Sequence, residues 1–141
     1  MNVLFVCTGN INRSAAAEVM SRVHRPEWNV RSAATNLKAN KPMSKKMRDL
    51  LTYIGYPGPE FHRSTALTKE LVDWADLVIG FQPSHLKAVE DLGGCPRSLV
   101  EFLSPDREPM TKIPDPAFDS TGNTHQQVIV LLAEALDRIE K

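Results

Sequence analysis

The stretch Val3-Leu4-Phe5-Val6-Cys7-Thr8-Gly9-Asn10-Ile11-Asn12-Arg13-Ser14 decides the fold. Val3 to Val6 form an unbroken apolar run, as a strand buried on both faces requires. Gly9 and Asn10 tolerate the left-handed backbone of a tight loop. Ser14 then opens a helical run, Ala15-Ala16-Ala17-Glu18-Val19-Met20. A loop curling onto a helix N-terminus aims several free N–H groups at one point and favours an anion there. Arg13 adds a planar fork that fits two oxygens of a phosphate. Cys7 falls inside that positive field, which favours its thiolate form. The Cys-to-Arg spacing alone fits a buried structural cysteine beside a surface arginine equally well. The strand before it, the Gly-Asn within it and the helix after it are what single out an anion loop.

Outward from this segment, strands and helices alternate. Residues 2–6 read as the first strand and 14–24 as the first helix, which Pro26 stops. Residues 29–33 form a second strand. Residues 43–54 carry Met43, Met47, Leu50, Leu51 and Ile54 at helical spacing. Thr68 caps a short helix to Trp74, 77–81 is a third buried strand, and 83–91 is helical after Pro83. Residues 99–103 read as a fourth strand, 104–122 as a long loop, and 124–139 as a final amphipathic helix. This order predicts an α/β fold: one domain over residues 1–141, a three-layer sandwich with a four-stranded parallel sheet and helices on both faces. Ligands of such sheets sit at the carboxyl ends of the strands, where Cys7 lies.

Composition narrows the function. Seventeen basic residues balance seventeen acidic ones over 141 residues, so no bulk field draws nucleic acid or an acidic membrane. No apolar run is long enough to span a membrane, and no secretory signal is legible. The two cysteines, Cys7 and Cys95, form neither a metal-type pair nor a disulfide framework. A reducing, cytoplasmic setting is expected, where a free thiol persists. His62, His85 and His125 are too scattered for a zinc site and read as surface or capping residues. No metal and no cofactor is expected, and the chain reads as a monomer or weak homodimer.

Cys7-Thr-Gly-Asn-Ile-Asn-Arg-Ser14 resembles the phosphate-binding loop of low-molecular-weight protein tyrosine phosphatases. Ser32-Ala33-Ala34-Thr35, the stretch from His62 to Leu67 leading to Trp74-Ala75-Asp76-Leu77-Val78, and Asp115-Pro116 also resemble that family, in order along nearly the whole chain. The resemblance implies metal-independent phosphomonoester hydrolysis, with Cys7 as nucleophile, Arg13 as phosphate clamp and Asp115 as general acid. It implies a phosphate cradle of Thr8, Gly9, Asn10, Ile11, Asn12, Arg13 and Ser14, in which Asn10 and Ser14 brace the loop. Its expected substrate is a phosphotyrosine-containing protein or a small aryl phosphate, passing through a cysteinyl-phosphate.

Three positions depart from the family pattern. Asn12 stands where a second loop cysteine is common. The stretch from Asn36 to Asn40 holds no aromatic, and Ala117 follows the Asp-Pro pair ahead of Phe118. Ile113 and Phe118 are the apolar neighbours expected around Asp115, and Asp119 is the alternative acid. Arsenate reduction on the same loop is the competing activity. It would need an external thiol, because Cys95 alone cannot supply a two-cysteine relay.

Overall fold

A computed structural model of the chain describes residues 1–36 and 40–140. Four strands, β1 (Asn2–Cys7), β2 (Asn29–Ala34), β3 (Leu77–Gly80) and β4 (Arg97–Ser98), form one sheet in the order β2-β1-β3-β4. All neighbouring pairs are parallel, with Cys7 opposite Ala34 and Val6 opposite Gly80. Among the described residues five α-helices connect and cover them: α1 (Arg13–His24), α2 (Lys45–Ile54), α3 (Lys69–Trp74), α4 (Pro83–Asp91) and α5 (Asn123–Arg138).

The period-two alternation of β1 builds two cores. Val3, Phe5 and Cys7 face a layer that holds buried side chains of α1, α2 and α5. Leu4 and Val6 face the opposite way, against Val72 of α3 and Val89 of α4. The expected three-layer α/β sandwich is therefore the observed one. Because β1 sends one crossover to β2 on one side and its other neighbour is β3, the strand order reverses between β1 and β3. That is where an open parallel sheet leaves a crevice at its carboxyl edge.

Most expected elements are found within a residue or two of their predicted ends. Thr68 caps α3 by accepting from the Leu71 N–H at 3.2 Å, and Gly55 closes α2 with a left-handed φ of 113°. The fourth strand is a correction. Only Arg97–Ser98 pairs with β3, and Leu99–Phe102 is a 3-10 helix. The cause is a capping box. Ser98 Oγ accepts from the Val100 N–H at 3.2 Å, and Glu101 Oε2 accepts from the Ser98 N–H at 2.8 Å, which bends the apolar run off the sheet.

Gly80 permits a close approach between β3 and α4. A Cβ there would sit 2.9 Å from His85 Cβ and 2.9 Å from Leu86 Cδ2, both on α4. Gly80→Ala is expected to destabilise the protein by about 1–3 kcal/mol, read as a lower urea midpoint at unchanged m. An unchanged midpoint would show that α4 shifts without penalty. Among the described residues no helix is long and apolar enough to cross a membrane.

Candidate active site

The carboxyl end of β1 delivers Cys7, buried to 3% exposure, into a tight loop. Asn10 adopts a left-handed φ of 54°, which turns the chain back so that its own N–H points at Cys7 Sγ, 3.2 Å away. Its side chain locks the turn. Asn10 Nδ2 donates to Ser14 Oγ at 2.7 Å, and Asn10 Oδ1 accepts from the Thr65 N–H at 3.0 Å. Its carbonyl accepts from His62 Nε2 at 2.6 Å. Ser14 Oγ lies 2.9 Å from Cys7 Sγ. Since that oxygen already accepts from Asn10, its own proton is free for the sulfur. Two donors thus converge on Cys7.

The far side of the loop is fixed by the segment before α2. The Ser44 N–H donates to the Ile11 carbonyl at 3.0 Å, and Ser44 Oγ donates to Asn12 Oδ1. The helix then begins at Arg13, one residue earlier than the sequence suggests. Arg13 is 1% exposed. Nη1 donates to Gln82 Oε1 at 2.7 Å and to the Ile113 carbonyl at 3.0 Å, and Nη2 lies 3.5 Å from Asp115 Oδ2. Burial lowers the Arg13 pKa from its usual value, and the nearby Cys7 and Asp115 oppose that shift. It remains a cation at any working pH.

These groups surround a cavity of about 520 Å³. Cys7, Thr8, Gly9, Ile11, Asn12 and Arg13 form its floor and near wall. Asp115, Ala117 and Phe118 form the opposite lip, joined by Asn36 and Lys41. Asn10 and Ser14 lie buried behind the wall, so they hold the cradle without lining it. A smaller cavity of about 370 Å³ lies on the other side of His62, rimmed by Arg22, Arg31 and Arg63, and holds no thiol.

Asp115 and Asp119 separate clearly. Asp115 faces the cavity with its side chain 43% exposed, and its Oδ1 accepts from the Ala117 N–H at 3.0 Å. Asp119 is committed elsewhere. Its carboxylate accepts from Thr121 and, at 2.7 Å, from the Thr124 N–H in the first turn of α5, bonds that hold its pKa far below the ordinary range. It caps a helix and does not line the cavity.

Several expectations need correcting. Ile113 and Phe118 do not enclose Asp115 in apolar walls. Ile113 is buried and offers its carbonyl to Arg13, while Phe118 is fully exposed on the lip. His62, His85 and His125 are buried, not superficial. For His62 and His85 the reason is that the ring nitrogens find partners inside, which removes the penalty of burying them. Leu37, Lys38 and Ala39, where a substrate-facing aromatic is missing from the sequence, lie outside the described residues. Among the described residues no group of three or more His, Cys, Asp or Glu side chains could hold a metal.

The model of the low molecular weight phosphotyrosine protein phosphatase family matches residues 2–141. The chain belongs to this family of phosphatases. A protein-arginine-phosphatase of Geobacillus stearothermophilus is 34% identical over 84 residues, 59% of this chain and 55% of that protein. The aligned stretch thus spans little more than half of that relative. The low molecular weight protein-tyrosine-phosphatase Etp of Escherichia coli K12 is 29% identical over 115 residues, 82% of this chain and 76% of Etp. A protein tyrosine phosphatase of Entamoeba histolytica, solved with Hepes in its active site, shares the fold at a TM-score of 0.86. The two are 22% identical, over 98% of this chain and 93% of that one.

Proposed function

We propose that this phosphatase hydrolyses phosphotyrosine in proteins, or a small aryl phosphate, by way of a cysteinyl-phosphate and without a metal. The observation that carries this is that Asp115, far along the chain, meets the Cys7-to-Arg13 loop around one cavity. The Cys7 thiolate attacks phosphorus in line. The S–P bond forms as the bond to the leaving oxygen breaks. Arg13 and the loop N–H groups hold the equatorial oxygens while charge redistributes over them. A phosphate dianion replaces Asp115 as the partner of the Arg13 cation. Freed from that ion pair, the carboxylate takes up a proton from solvent and gives it to the leaving phenolate. Asp115 next takes a proton from the water that cleaves the S–P bond and releases phosphate.

An aryl group leaving this cradle meets Ile11, Ala117 and Phe118, an apolar set suited to a ring. Phosphoarginine, the substrate class in one relative's name, would bring a cationic leaving group to the same walls, where Asp115 is the one carboxylate on the lip. Arsenate reduction would need an outside thiol. Cys95 precedes β4, towards the opposite end of the sheet from Cys7, and cannot bridge to it without rearrangement.

The test is turnover of phosphotyrosine peptide, phosphoarginine peptide, p-nitrophenyl phosphate and arsenate side by side, in chelator. Phosphotyrosine is expected to be preferred, and preference for phosphoarginine would overturn that choice. Asp115→Asn is expected to lose about 10²- to 10⁴-fold on a phenyl phosphate, and less with a leaving group that needs no proton. Equal rates for both enzymes on both esters would remove Asp115 from the role of acid.

A further inference from the structure

We infer that the Thr8 hydroxyl is a directed hydrogen-bond donor to the bound phosphoryl group, and that His85, outside the loop, is the positioning residue that directs it. The inference rests on reading the Cys7 cavity as the phosphate site, and it assigns work to two groups which that reading leaves idle.

His85 is wholly buried in the first turn of α4. Its Nδ1 lies 3.1 Å from the Phe81 N, whose N–H can only donate. Nδ1 is therefore the acceptor nitrogen, and the ring proton of the neutral imidazole sits on Nε2. Nε2 is 3.0 Å from Thr8 Oγ1. The histidine consequently donates and the Thr8 oxygen accepts, which leaves the hydroxyl's own proton without a role towards His85. Thr8 lines the same cavity as Cys7, Gly9 and Arg13. The acceptor that this cavity is built to receive is an anionic oxygen.

The arrangement does not reverse as pH changes. Burial, reinforced by the Arg13 cation, holds the His85 pKa down at about 3, so the ring stays neutral and in one tautomer. The backbone is built for it. Gly80 has no Cβ, and one added there would sit 2.9 Å from His85 Cβ. The glycine therefore lets the ring reach the end of β1. Gln82, three residues before His85, accepts from Arg13 Nη1. One turn of chain after β3 thus sets both the guanidinium and the Thr8 hydroxyl.

Steady-state turnover of p-nitrophenyl phosphate, with inorganic phosphate as competitive inhibitor, tests this. Thr8→Val is expected to lower kcat/KM about 10- to 100-fold, the range for a hydrogen bond to a charged group, and to raise the Ki of inorganic phosphate. Thr8→Ser should recover most of the loss. His85→Asn keeps an oxygen for the Phe81 N–H but falls short of Thr8, so it should reproduce the Thr8→Val loss. His85→Gln places an N–H near the Nε2 position and should recover most of it. In the Thr8→Val background, His85→Asn should cost less than about threefold more, because the two act as one unit. Thr8→Val within about threefold of wild type would overturn the inference. So would a His85→Asn loss that persists undiminished beside Thr8→Val. If Asn at position 85 fails to fold, the Thr8 pair and His85→Gln decide by the same thresholds. Cys7→Ser, run in parallel, separates the two claims: turnover surviving there removes Cys7 as nucleophile, and with it the reading of this cavity as the catalytic site.

Discussion

Cys7→Ser is expected to lower turnover of p-nitrophenyl phosphate by at least about 10⁴-fold while leaving the fold almost undisturbed. The reason lies in what touches the sulfur. Its polar neighbours are the Ser14 hydroxyl at 2.9 Å and the Asn10 N–H at 3.2 Å. Both are donors to a thiolate. Neither can accept a proton, so a hydroxyl at position 7 would have no base to activate it. Sulfur is the nucleophile these contacts suit, because the Asn10 N–H, the Ser14 hydroxyl and the Arg13 cation all stabilise negative charge at that atom. The same two contacts remain available to a serine oxygen, and the lost sulfur volume is small at a site held from several sides. The thermal midpoint should therefore move by a few degrees at most. Phosphate binding should survive, since Arg13 and the loop are intact. Turnover that persists in Cys7→Ser would remove Cys7 as nucleophile. A collapse in stability would make it a structural cysteine whose loss of activity is indirect.

The half of the site nearest the N-terminus was legible because its chemistry and its fold share one continuous stretch. The apolar run of β1, the left-handed Asn10 and the first turn of α1 each carry their own local signal. The other half comes from elements that only the strand order brings together. Gln82 and His85 look like ordinary residues on either side of Pro83 and Ser84 at the start of a helix. Parallel pairing of Val6 with Gly80 is what sets them beside Arg13 and Thr8. One signal was available: they follow the carboxyl end of the strand beside β1, at the point where the strand order reverses. The carbonyl that Ile113 gives to Arg13 had no such signal, since a backbone acceptor leaves no mark on side-chain type. Strand β4 is shorter than its apolar run suggests for a different reason. The apolar run from Leu99 reads as a strand, but the Ser98–Glu101 capping box turns it into a 3-10 helix by satisfying backbone donors that the edge of the sheet would leave open.

Arg13→Ala is expected to lower kcat/KM by about 10³- to 10⁵-fold, the range for losing an arginine that stabilises a transferring phosphoryl group. Arg13→Lys decides whether charge or shape supplies that effect. The guanidinium is spread between Gln82 Oε1, the Ile113 carbonyl and the side facing Asp115, and its plane is fixed before any phosphate arrives. A lysine ammonium keeps the charge but cannot span those acceptors and two phosphate oxygens together. It should lose at least about tenfold, with the deficit largest for a poor leaving group. Stability should respond in another order. Burying a cation is costly, and burial already works against charge at Arg13. Removing it relieves that penalty while orphaning the Ile113 carbonyl, so the alanine variant should lie within about 2 kcal/mol of wild type by urea denaturation. A lysine variant within threefold of wild-type activity would show that a point charge suffices. An alanine variant unable to fold would show that Arg13 holds the loop together before it holds a phosphate.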